Sequence, residues 1–142
     1  MLLVQEISPI CNSEFWNYPV APSPVPAGFP SPADDYLEHA LNLDELLVKN
    51  RVATYYVRVR GWSMLGAGIH DGDILMVDRA LPATDGKIAV VVIDAQFTIK
   101  RLSFRDGTLF LLPENDLFAP QEISVETDFT VWGIVTCIIH RV

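Results

Sequence analysis

Seven of the ten prolines lie between Pro9 and Pro32. Proline lacks a backbone donor and fixes φ, so a run this dense suits neither a helix interior nor a central strand. From about Pro19 to Pro30 the chain therefore reads as an extended arm, polyproline-like in places. A packed core has to be built from the residues beyond it.

A helix is expected to begin at Ser31. Ser31 is a good N-cap, Pro32 suits the first helical position, and Asp34 stands three residues after the cap. Tyr36, Leu37, Ala40 and Leu41 then continue at helical spacing, and a second short helix fits Asp44 to Val48. From Ala53 the pattern turns to β. Thr54 to Arg60 alternates, with Tyr56, Arg58 and Arg60 on one face and Tyr55, Val57 and Val59 on the other. Asp71-Gly72-Asp73 is a turn into a strand at Ile74 to Val77. Lys87 to Ile93 is a β-branched run, joined through a tight Asp94-Ala95 hairpin to Phe97 to Leu102. Thr108 to Leu112 and Thr130 to Ile139 complete the set. The expected fold is mainly β: an extended N-terminal arm, a short helical segment and a mostly antiparallel β domain.

Several function classes are disfavoured. The chain of 142 residues fits one domain, and half of it is hydrophobic, enough for a core. A net charge of −8 repels phosphate backbones, so direct nucleic-acid binding is not expected. Cys11 and Cys137 form no C-x-x-C pair, which gives zinc and thioredoxin-like chemistry no support; two free thiols in a reducing cytoplasm are expected. No run is long enough to span a bilayer, and residues 1–27 lack the basic start of a signal peptide. Neither a metal nor a cofactor is implied.

One constellation can carry chemistry. Gly61-Trp62-Ser63-Met64 ends a strand, where a Gly beside a Ser permits a tight turn that presents the hydroxyl. A serine nucleophile needs a base. His39 falls in the expected helix, His70 in a loop and His140 near the C-terminus, and none has an obvious helper role. Of the three lysines, Lys49 and Lys87 look like helix-end and loop residues. Lys100 lies inside the apolar strand Phe97-Thr98-Ile99-Lys100-Arg101-Leu102, with Thr98 on its own face. A buried lysine loses charge, and a neutral amine can take the serine proton, with the Thr98 hydroxyl orienting it. Taken on its own, a strand lysine more often runs its stem along the sheet to water, since structural lysines outnumber catalytic ones.

Together these residues resemble the LexA/UmuD family of Ser-Lys autoproteases, on the UmuD-like side. Gly61-Trp62-Ser63-Met64 is similar to the family's nucleophile motif. Ile69 with Asp71-Gly72-Asp73 is similar to the turn after it, Phe97 to Leu102 to its lysine strand, and Leu112-Pro113-Glu114-Asn115 to a later loop. Ala27-Gly28-Phe29-Pro30 resembles the family's cleavage region, and there is no room for a helix-turn-helix domain ahead of the β domain. The resemblance implies a LexA/UmuD-like fold with Ser63 as nucleophile and Lys100 as base, cutting the chain once at Ala27-Gly28. Residues 1–27 would be the arm removed, and 28–142 the peptidase and dimerisation domain. It further implies a bacterial cytoplasmic homodimer that responds to the RecA–single-stranded DNA filament. The shortened form would serve a UmuC-like Y-family polymerase in SOS translesion synthesis. The backbone N–H groups of Trp62 and Ser63 are candidates for an oxyanion hole. One rival, a type I signal peptidase, should carry a membrane anchor. The other is a non-enzymatic binding module with a relic Ser-Lys site.

Overall fold

The first residues of the chain belong to the β-sheet. In the computed structural model, which describes residues 2–10, 17–20 and 39–142, Leu3–Pro9 forms strand β1. It runs antiparallel to β4 (Thr54–Arg60), with Leu3 opposite Arg60 and Pro9 opposite Tyr55. A β-bulge between Val4 and Glu6 explains how this segment keeps one apolar face. Leu2 and Val4 point inward at even positions; one extra residue, Gln5, shifts the phase so that Ile7 also joins the core.

The other strands are β5 (Ile74–Asp78), β6 (Ile88–Ile93), β7 (Gln96–Arg105), β8 (Thr108–Leu112), β9 (Gln121–Ile123) and β10 (Phe129–Ile139). They form one eight-stranded antiparallel sheet in the order β1-β4-β5-β10-β6-β7-β8-β9. Leu3 also pairs with Thr98, so β1 touches both β4 and β7 and the sheet closes on itself. Val57, Val59, Met64, Leu75, Val77, Val90 and Ile99 fill one core with the fully buried Leu2. Ala89, Val91, Leu102, Leu111 and Ile134 form a second.

The expected strands from Thr54 onward are all present. The hairpin between β6 and β7 turns on Asp94 and Ala95, at φ 48° and 63°. Two positive φ values in a two-residue loop match the right-handed twist of the strands, although Ala95 lacks glycine's freedom to adopt them without strain. The helix expected from Ser31 begins outside the described residues. Its far end is corrected: Ala40 and Leu41 lie in strand β3 (His39–Asn42), which pairs with β2 (Asn17–Val20). The second expected helix is α1 (Leu43–Leu47), capped by Asn42, whose Oδ1 accepts from the Asp44 and Glu45 N–H groups. By contacts, residues Cys11–Lys49 form one compact unit, and Met1–Ile10 with Asn50–Val142 form the other. Among the described residues no helix is long and apolar enough to cross a membrane.

Candidate active site

Ser63 sits just beyond β4, in a segment that the sequence shapes tightly. Gly61 adopts φ 112°, a conformation that L side chains rarely reach, and its N–H donates to Asp71 Oδ1 at 2.8 Å. The Met64 side chain is fully buried in the core and anchors the segment from below. A 3₁₀ turn at Leu65–Ala67 comes next.

The loop Leu112-Pro113-Glu114-Asn115 holds this segment from the side. The Glu114 N–H donates to the Ser63 carbonyl at 2.7 Å, and the Gly66 N–H donates to the Glu114 carbonyl at 2.6 Å. Asn115 Nδ2 donates to the Trp62 carbonyl at 2.8 Å. Gly66 is needed for this approach, since a Cβ there would stand 2.7 Å from the Glu114 carbonyl oxygen. The Glu114 carboxylate in turn accepts from Arg101, the neighbour of Lys100 on β7. The two candidate catalytic segments are thus tied through one glutamate. The sequence showed this loop only as part of a motif; its role as a brace rests on long-range backbone bonds that no local pattern announces.

The Ser63 side chain is fully buried, and its Oγ has no hydrogen-bond partner among the described residues. A buried hydroxyl without a partner forfeits its hydration and gains nothing in exchange, a cost that folded proteins rarely accept away from functional positions. The Trp62 and Ser63 N–H groups also find no acceptor among the described residues.

Lys100 and Thr98 line a cleft of about 290 Å³ together with Ile93, Asp94, Gln96, Phe118, Ala119 and Gln121. Partial burial pushes the Lys100 amine below the usual lysine range, because a desolvated site disfavours the charged form. Lys100 makes no salt bridge among the described residues. Its amine and the Ser63 hydroxyl are not hydrogen-bonded to one another. Thr98 is engaged otherwise than expected. Its buried hydroxyl donates to the Leu2 carbonyl at 2.7 Å, and it makes no hydrogen bond to Lys100.

The histidines hold a relationship that the sequence did not announce. His70 and His140, far apart in the chain, meet at the buried carboxylate of Asp73. His140 Nδ1 lies 2.6 Å from Asp73 Oδ1, and the two imidazoles stand 4.5 Å apart at their centroids. The His70 N–H donates to Asp73 Oδ2 at 2.7 Å. These three side chains include donor types that could ligate a metal, but 2.6 Å is the separation of a shared proton, shorter than two ligands spread around one ion. The group fixes the Asp71-Gly72-Asp73 turn to the end of β10.

The sequence profile described as Peptidase S24-like matches residues 19–136, most of the chain. The chain belongs to this serine peptidase family. Protein MucA of Salmonella typhimurium is 45% identical over 113 residues, covering 79% of this chain and 77% of MucA. Protein SamA of the same species is 35% identical over 144 residues, covering 99% of this chain and 95% of SamA. LexA repressor 2 of Pseudomonas putida is 37% identical over 133 residues, covering 94% of this chain and 65% of the repressor. The LexA/UmuD likeness drawn from five short segments therefore extends over nearly the whole chain. The expected scissile pair, Ala27 and Gly28, lies outside the described residues.

Proposed function

We propose that this S24-family protein is a UmuD-like autoprotease that cuts its own Ala27-Gly28 bond, with Ser63 as nucleophile and Lys100 as general base. The observation that supports the reading is the buried, unpartnered Ser63 hydroxyl in a family of serine peptidases, with its segment tied through Glu114 to the strand whose Lys100 amine burial pushes below the usual lysine range.

The chemistry balances without a cofactor. Neutral Lys100 takes the Ser63 proton as Oγ attacks the Ala27 carbonyl carbon. The oxyanion that forms is met by the Trp62 and Ser63 N–H groups. The C–N bond breaks as the Lys100 ammonium returns its proton to the Gly28 nitrogen, leaving an ester between Ala27 and Ser63. Lys100 then takes a proton from a water that attacks the ester carbon, and returns it to Ser63 Oγ as the acyl C–O bond breaks. The products are a carboxylate at Ala27, a free amine at Gly28 and regenerated Ser63.

A protein that cleaves one bond in its own chain does not turn over, so its output is a changed binding surface. In this reading the RecA–single-stranded DNA filament stimulates the cut. The 28–142 form, a homodimer, then serves as accessory subunit of a UmuC-like Y-family polymerase in SOS translesion synthesis. The acidic body favours a protein partner over direct contact with DNA. The test is to add RecA filaments to the purified chain and follow cutting, then compare binding of both forms to the cognate polymerase at matched salt. Faster cutting and tighter binding by the shortened form are expected; equal rates or equal affinities would defeat the corresponding step.

A further inference from the structure

We infer that cutting after residue 27 does not release the arm: Leu2 and strand β1 stay seated, so each 28–142 subunit keeps its severed N-terminal piece bound without a covalent link. The inference rests on the proposed cut at Ala27-Gly28 and concerns what becomes of its smaller product.

Every described bond that holds β1 is made to residues on the far side of that cut. Six backbone pairings join it to β4, from Leu3 opposite Arg60 to Pro9 opposite Tyr55. The Leu3–Thr98 pairing and the Thr98 hydroxyl on the Leu2 carbonyl join it to β7. Leu2 is fully buried among residues of the body, with Val4 and Ile7 packed against the same cluster. The outer face adds Arg60 Nε donating to Gln5 Oε1 at 3.0 Å and Arg58 Nε 3.6 Å from the Glu6 carboxylate.

Hydrolysis at residue 27 removes none of these contacts. It removes only the tether, which turns the docking of β1 from an intramolecular event into a bimolecular one. Loss of β1 would also expose strand edges on β4 and β7 and empty the Leu2 site in the core, both unfavourable in water. Strand addition of this kind is a recurring mode of peptide recognition, with main-chain bonds for affinity and alternate side chains for specificity.

The test separates this inference from the catalytic reading. A chain carrying Ser63→Ala and a recognition sequence for a site-specific protease inserted between Ala27 and Gly28 is cut to completion, as verified by mass under denaturing conditions. Native mass spectrometry and size exclusion then read the same sample. A single species holding both pieces in equal amounts is expected. Val4→Ala and Ile7→Ala, which trim the inward face without adding charge, should each speed loss of the peptide at least tenfold. A peptide that elutes alone from the unsubstituted chain, whether or not the remainder keeps its fold, overturns the inference. Failure of the natural chain to cut itself would instead strike the Ser63–Lys100 assignment and leave this result standing.

Discussion

The Thr98 hydroxyl donates a 2.7 Å hydrogen bond to the Leu2 carbonyl, a buried link between β7 and the start of the chain. Thr98 shares its strand with the lysine proposed as base, so the start of the chain is in direct contact with the Lys100 strand. Thr98→Val keeps the shape and removes the donor, leaving the carbonyl short of a partner. A loss of about 1–3 kcal/mol is expected, read as a lower urea midpoint at unchanged slope.

Lys100, proposed as the base, is expected to set the pH dependence. Its folded pKa is lowered by burial, so the unfolded chain binds the proton more tightly. The burial penalty is therefore full below the folded pKa and fades as pH rises towards the unfolded value of about 10.4. Lys100→Met should stabilise the fold at neutral pH, with a gain that shrinks in alkali. Cleavage by the natural chain should rise with pH as the neutral amine accumulates, and Lys100→Arg should be inactive because arginine does not deprotonate in that range. A pH–rate profile that stays flat into alkali would count against lysine as base.

Glu114 braces Ser63 through its backbone and Arg101 through its side chain. Glu114→Ala keeps the backbone bonds and loses the tie to β7. Self-cleavage should slow by about tenfold or more, in line with the effect of small displacements on positioned groups. The pair is partly exposed, so stability should change by no more than about 1 kcal/mol. Single-turnover cleavage and thermal unfolding on the same sample separate the two effects.

Ala95 holds φ 63° in the β6–β7 hairpin. A left-handed conformation costs an L residue about 1–2 kcal/mol relative to glycine. Ala95→Gly should therefore stabilise the domain by up to about that amount, offset in part by glycine's greater unfolded entropy. An unchanged or lower melting temperature would contradict the turn geometry.

The sequence was most legible where local rules and tertiary packing agree. Thr54–Arg60 alternates without a break, and its bounds match β4. Asp94-Ala95 and Asp71-Gly72 mark real turns. Strand β1 was hidden because its bulge at Gln5 breaks the period of two, and because the prolines after it drew the whole segment into an arm. Ala40 and Leu41 had helical spacing with Tyr36 and Leu37, yet pairing with β2 placed them in a strand. At the site, Ser63 and Lys100 were visible by residue type and order. The Glu114 brace, the Thr98–Leu2 bond and the meeting of His70 and His140 at Asp73 are contacts between distant parts of the chain, and no periodicity encodes them.

The central claim is that this chain cuts itself once with Ser63 and Lys100, and intact mass measured over time at mildly alkaline pH tests it most directly. The natural chain should convert to one fragment beginning at Gly28 and one ending at Ala27, while Ser63→Ala and Lys100→Ala remain whole and folded. Cutting by either variant at the natural rate, or a natural chain that stays intact with and without RecA filaments, would contradict the account.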